Sequence, residues 1–289
     1  MKGSKPPLRN DSLTPASYDP NLLCGLERLE TRKNSNLHID DLTFYGMDSW
    51  TAYELSWLNR QGVPRNGILN ISYPCSTKNF IESKSLKLYL NSLNNERIGE
   101  KKEIQHLISN DIKKCLFEEV NIEVVHEPRD FLLHSLVIDN LEIKEEMNLN
   151  TPNSLLLQTS NEVVEESLTC TTFRSLCPLS QQPDWASIHI SYEGNQLDHK
   201  SLFLYLMSFR TYQAFHEVCV ERIFSDLLKR CDFPKLTVQA NYLRRGGIEI
   251  NPLRSTHKDF DRMVCRDKRQ GDADLTEDFF SIVFLHNSF

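Results

Sequence analysis

Apolar positions along this chain follow two kinds of spacing, and the two kinds recur in the same order twice. Ile68-Leu-Asn-Ile-Ser-Tyr73 is strand-like. Ile104, Leu107, Ile108, Ile112, Cys115 and Leu116 then recur at helical spacing, and Val120-Asn-Ile-Glu-Val-Val125 reads as a further strand. The second pass begins at Ser187-Ile-His-Ile-Ser-Tyr192. It continues through a helical stripe of Phe215, Val218, Cys219, Ile223, Leu227 and Leu228. It ends on the strand Leu236-Thr-Val-Gln-Ala240, an Arg244-Arg-Gly-Gly247 turn and Ile248-Glu-Ile250. Asp48-Ser-Trp50-Thr-Ala-Tyr53-Glu54-Leu-Ser-Trp57-Leu58 is different, because its aromatic spacing reads as a buried helix face or an oligomer contact.

A literal repeat sits inside this double pattern. Glu82 to Ser92 reads ESKSLKLYLNS and Asp198 to Ser208 reads DHKSLFLYLMS, identical at seven of eleven positions. The copies are offset by 116 residues (198 − 82), and the strands before them by 119 (187 − 68). Two copies are too few for a solenoid and point to a duplicated module. Each module reads strand, strand, helix, helix, strand, strand, which predicts an α+β fold with helices on one face of an antiparallel sheet. The expected boundaries are a disordered start (1–20), a first module (21–138), a polar, acidic connection (139–165), a second module (166–255) and a C-terminal tail (256–289).

Composition narrows the class. With 39% hydrophobic and 25% charged residues, the chain is an ordinary soluble type, and no apolar run approaches the ~20 residues of a membrane span. The first twenty residues carry Lys2, Lys5, Arg9 and four prolines without an apolar core, unlike a signal peptide. Eight scattered cysteines form no Cys-x-x-Cys pair, which suits a reducing cytoplasm rather than a disulfide scaffold. The net charge of −7 argues against a large nucleic-acid footprint.

The candidate chemistry lies near the second copy. Cys177 stands seven residues before Asp184 in Cys177-Pro-Leu-Ser-Gln-Gln-Pro-Asp184-Trp185, a loop rather than a core face. A thiol there can be a nucleophile, and Asp184, alone a plausible turn cap, can hand on protons if burial raises its pKa. His216 and Glu217 open the next helix, where a solvated face is the plain alternative. Near the first copy, Lys84 stands at a helix start whose amides would favour a phosphate. Arg245 and Gly246 offer a second phosphate contact, and no Gly-x-Gly-x-x-Gly is present for a Rossmann site.

Taken together, these segments resemble the NADPH-dependent 7-cyano-7-deazaguanine reductases, nitrile reductases of queuosine biosynthesis, a tRNA modification pathway, in their long tandem form. The resemblance spans roughly residues 20 to 255. It implies two tandem tunnelling-fold modules assembling into barrels, a cytoplasmic homodimer and a small-molecule substrate, a 7-deazapurine nitrile. Nucleic acid, membrane and metal have no direct place in it. Cys177 would add to the nitrile carbon as a covalent thioimide and Asp184 would protonate nitrogen. Ile81, Glu82, Ser83, His216 and Glu217 would hold the substrate, Glu217 by the guanine-like edge. Ser83, Lys84, Arg245 and Gly246 would hold NADPH. The second copy has Asp198-His199 in place of Glu82-Ser83, so cofactor work falls to the first copy and to the Arg245 turn. The chain departs from the family pattern at Pro178. A zinc cyclohydrolase of the same fold, ligated by Cys177, His216 and Cys219, is the rival enzyme, and a non-catalytic purine-binding protein is the other alternative.

Overall fold

Strand β2 (Tyr45–Leu58) lies near the centre of one eight-stranded sheet that draws on both halves of the chain. The computed structural model describes residues 15, 17–39, 42–126, 135–144 and 151–260. The other elements are β1 (Gly25–Glu27), α1 (Arg28–Asn34), β3 (Pro64–Pro74), β4 (Asn79–Ile81), α2 (Ser83–Ser92), α3 (Lys101–Leu116), β5 (Asn121–Val125) and β6 (Leu136–Val137). They continue with β7 (Thr159–Leu176), β8 (Pro183–Leu197), α4 (His199–Met207), α5 (His216–Cys231), β9 (Lys235–Tyr242) and β10 (Ile248–Ser255). The sheet order is β5-β3-β2-β10-β9-β8-β7-β6, antiparallel except for the short β6–β7 pair, while β1 and β4 form a separate ribbon.

The α+β class and the doubled element order agree with the sequence pattern. The segment around Trp50 does not: it is strand, not helix. Its even positions Asp48, Trp50 and Ala52 are buried, and burial then switches to Leu55 and Trp57. A register shift between Ala52 and Leu55 produces the switch. A bulge inserts a residue and flips the side-chain parity, so the aromatic spacing imitates a helix. Strand β7 starts at Thr159, inside the segment read as a connection. At the N-terminus, Tyr18 donates to Asp111 at 2.6 Å and packs on Tyr89, so part of the segment read as disordered is docked. Most of residues 1–20 and of the tail 256–289 lies outside the described residues.

The identities in the repeat have local physical causes. The carboxylates of Glu82 and Asp198 cap α2 and α4, accepting from Ser85 N and Ser201 N at 2.7 Å each. Tyr89 and Tyr205 each donate to an aspartate of the following helix, Asp111 and Asp226, at 2.8 Å. Ser92 and Ser208 donate back to the carbonyls of Tyr89 and Tyr205.

Two apolar cores result. One gathers residues of β2, β3, α2 and α3 with Ile248 and Ile250 of β10, and the other gathers β7, β8, β9, α4 and α5. Strand β10 thus serves the first core although it belongs to the second half. Phe215 packs against both. No helix among the described residues is long and apolar enough to cross a membrane.

Candidate active site

Cys177 directly follows the end of β7, in the loop that turns into β8. Leu176 pairs with Pro183 and Ser175 with Asp184, so the hairpin brings the Cys and Asp ends of the motif to one mouth. Cys177 N donates to Gln182 O, and Gln181 N to Cys177 O, both at 2.9 Å. Leu176 is further pinned by Tyr212 O and Ala214 N. That contact places the segment leading into His216 and Glu217 beside the Cys177 loop. The guanidinium groups of Arg174 and Arg210 both lie over the Trp185 ring, which anchors the strand next to Asp184.

Asp184 is 3% exposed. One oxygen accepts from Arg245 Nη1, and the other lies 3.3 Å from His216 Nε2. Arg245 also donates to Gln182. Burial pushes the carboxyl upward, but His216 and then Arg245 outweigh it, and the net direction is down. The raised pKa expected from burial alone is therefore not met: in this conformation Asp184 is an ionised acceptor. The His216 ring leans on Tyr242, centroids 3.9 Å apart.

Glu217, at the first turn of α5, is 3% exposed, and its Oε1 has no hydrogen-bond partner. Burial, followed by the charge of Asp48, pushes its pKa to about 8. Cys219, one helical step on, is wholly buried with its thiol pushed up to about 12 by burial, and it donates to Ala214 O. That is the surroundings of a core thiol. Among the described residues no three His, Cys, Asp or Glu side chains are grouped as a metal site.

The first copy reaches the same place by two routes. Phe80, just before Ile81, meets Phe215, just before His216, edge to face at 5.4 Å. Second, a Cβ on Gly246 would come within 2.5 Å of Lys87 Nζ, so α2 overlies the Arg245 turn. That turn is itself seated on the β2 bulge: Tyr53 N donates to Gly247 O at 2.9 Å, and Arg244 covers the Tyr53 ring. Gly246 and Gly247 both have positive φ, 56° and 80°, where a side chain is strained.

The individual residues of the first copy are placed less uniformly. Ile81 is buried in the first core and donates its N–H to Tyr73 Oη. Ser83 and Lys84 are exposed at the start of α2. The amides of Lys84 and Ser85 are not free for a phosphate, because Glu82 already accepts from both. A cofactor contact at Lys84 is left to its side chain. Lys87 was missed in the sequence, although it left a signal: it is one of the four repeat positions that differ, opposite Phe203.

Comparison with known proteins turns this geometry into a family. A family model described as nitrile reductase, 7-cyano-7-deazaguanine-reductase N-term, matches residues 14–124. A second, described as QueF-like protein, matches residues 183–261. A protein of Desulfotalea psychrophila named NADPH-dependent 7-cyano-7-deazaguanine reductase is 43% identical over 247 residues, covering 83% of this chain and 89% of that one. Proteins with the same name from Buchnera aphidicola (40% over 257 residues) and Coxiella burnetii (41% over 271) cover 86% and 92% of this chain and 97% of their own.

The chain belongs to the NADPH-dependent 7-cyano-7-deazaguanine reductase family.

A solved structure described as an archaeosine synthase QueF-Like in the apo form aligns at a TM-score of 0.29 and 17% identity, over 33% of this chain and 94% of that one. The reductase family is assigned without it. For a member of that family, the first model covers the α2 segment and the second covers Asp184, His216, Glu217 and Arg245. Cys177 falls between the two matched ranges, and the hairpin register ties it to Asp184.

Proposed function

We propose that this chain reduces the nitrile of 7-cyano-7-deazaguanine to the aminomethyl group, with Cys177 as covalent nucleophile, in queuosine biosynthesis. The observation that carries the reading is Glu217. A buried carboxylate oxygen without a partner is costly unless a ligand supplies donors. The guanine-like edge offers a ring N–H and an amino N–H in parallel, which a carboxylate accepts together. It sits next in sequence to His216, which touches Asp184, so a base held there is close to proton-handling groups.

Cys177 gives its thiol proton to the Asp184–His216 pair as its sulfur adds to the nitrile carbon. The C–N triple bond becomes a C=N double bond, and the nitrogen takes a proton from the Asp184–His216 pair. Asp184 is ionised while Arg245 holds it, so donation needs either delivery through His216 Nε2 or release of Arg245. Once Arg245 leaves, burial, the strongest influence on Asp184, acts in favour of the protonated acid.

The residues present fit NADPH. Arg245 has a side chain 42% exposed, Gly246 allows close backbone approach, Lys87 reaches from α2 to the same turn, and Lys84 is exposed at the start of that helix. When bound, NADPH supplies hydride, twice per nitrile reduced. Ser83 joins this set by position, at the first residue of α2.

The tandem tunnelling-fold reading and the homodimer belong to the same proposal. The doubled element order supports the first, and the sheet's open ends at β5 and β6 support a second copy completing it. Light scattering checks the latter. For the activity, the test is NADPH consumption that depends on the nitrile, together with mass spectrometry of protein mixed with the nitrile alone. An adduct on Cys177 is expected. An adduct on another cysteine, or none, overturns the covalent role.

A further inference from the structure

Behind Glu217 lies buried charge that the proposed reaction leaves unused. Arg28, the first residue of α1, is 4% exposed. Its Nε donates to Thr77 O at 2.9 Å, and its Nη2 to Asp48 Oδ2 at 2.5 Å and Thr77 Oγ1 at 3.0 Å. Its Nη1 is buried and has no hydrogen-bond partner. The guanidinium carbon lies 5.4 Å over the Phe80 ring, and Phe80 meets Phe215. The unpaired donor thus belongs to a residue lying over Phe80, and the unpaired acceptor to a residue two positions past its ring partner Phe215. They make no direct ion pair with each other among the described residues, yet the charge of Arg28 acts on Glu217. The other charged groups acting on Glu217 are Asp48 and Arg254.

A buried polar group left unmet is costly, so a donor and an acceptor whose charges act on one another call for a ligand that meets both. A lactam edge does this: its carbonyl accepts and its adjacent ring N–H donates. An amino-substituted ring of the adenine type does not, because its N–H₂ would oppose the Arg28 N–H₂ donor to donor.

We propose that Arg28 is a specificity-determining residue, donating from Nη1 to the ring carbonyl of the substrate while Glu217 accepts from the neighbouring N–H. The inference rests on the substrate reading above and extends it to a residue of α1. It makes the pocket a keto-against-amino filter. A site that hydrogen-bonds a substrate group rejects the analogue lacking it far more strongly than shape alone can.

The test uses 7-deazaguanine and its 6-thioxo analogue, which lack the nitrile and so bind reversibly. The analogue keeps every N–H and exchanges the carbonyl oxygen for sulfur, a weaker hydrogen-bond acceptor. Calorimetry on the full chain, without NADPH, compares wild type, Arg28→Lys and Glu217→Gln. Wild type should bind the oxo form at least tenfold tighter than the thioxo form. Arg28→Lys, which keeps the charge beside Asp48, should bind the two nearly alike. Glu217→Gln should bind both more weakly and keep the ratio. Arg28→Lys with an undiminished ratio makes Arg28 structural and overturns the proposal. Should that variant not fold, equal binding of the two forms by wild type overturns it alone. Wild type that forms no adduct with 7-cyano-7-deazaguanine and binds neither probe removes the substrate reading itself, a result distinct from lost discrimination.

Discussion

Glu217 and Asp184 are neighbouring carboxyl groups whose surroundings push them in opposite directions. Glu217, buried and near Asp48, rises to about 8, so the free protein holds it largely neutral at pH 7. A ligand that needs the carboxylate must displace that proton. Affinity for the nitrile substrate should therefore rise by up to tenfold per pH unit between about 6 and 8, then level off. Calorimetry across pH in wild type and Glu217→Gln reads this, and a flat wild-type profile rules out the carboxylate as the contact. Asp184 is held down by His216 and Arg245 against burial. Arg245→Ala removes one of those two partners, so the Asp184 pKa should climb. The pH profile of adduct formation, followed by mass spectrometry, should shift to higher pH in that variant. An unmoved profile means that Arg245 does not control Asp184.

At the scale of elements, the β2 bulge and the Arg245 turn form a single device. The bulge offers Tyr53 N to Gly247 O, and a Cβ on Gly247 would fall 2.5 Å from the Glu54 carboxyl carbon. Gly247→Ala should lose about 1–3 kcal/mol of stability and weaken NADPH binding together, because the strained turn also carries Arg245. Lys87→Ala should weaken NADPH binding with the melting midpoint nearly unchanged, and equal affinities would place Lys87 outside the cofactor contact. The same bulge explains the main misreading of the sequence. Trp50, Tyr53 and Trp57 are spaced three and four apart because an extra residue interrupts a period of two. The spacing of Cys177 and Asp184 was legible, since both lie within eight residues of sequence, but the β7–β8 hairpin that brings them together was not. The Arg245–Asp184 contact was not, because its partners are 61 residues apart and meet only when β8 and the turn before β10 are in place. Glu82 shows a different limit: its motif position was seen, but its capping of α2, shared with Asp198 and α4, follows only from the coordinates.

At the scale of the whole molecule, a buried ionic set ties α1, β2, α5 and β10 together. Arg254 pairs with Asp48 at 2.8 Å and Glu221 at 3.0 Å, Arg28 with Asp48, and Arg32 with Glu221. Asp48→Ala would strip buried Arg28 of its carboxylate partner and Arg254 of one of its two, and should cost about 3–5 kcal/mol in urea unfolding. Burial opposes ionisation of Asp48 and Glu221, but their arginines hold both carboxyls below the ordinary range. Their stabilisation is thus complete above about pH 5 and fades as pH falls through the lowered values. Wild type should lose stability steeply below pH 4, and Asp48→Ala less steeply.

The β2–β10 seam sets a timetable for synthesis. Ser255 pairs with Tyr45, 210 residues earlier (255 − 45). At roughly 5–20 residues per second, β2 leaves the ribosome about 10–40 seconds before its partner exists. Through that interval β3 can cover one side of β2, while the other, from Tyr45 to Ala52, remains an open edge. A nascent chain halted before Ile248 should therefore be captured by chaperones and aggregate when released, whereas one extended past Ser255 should not.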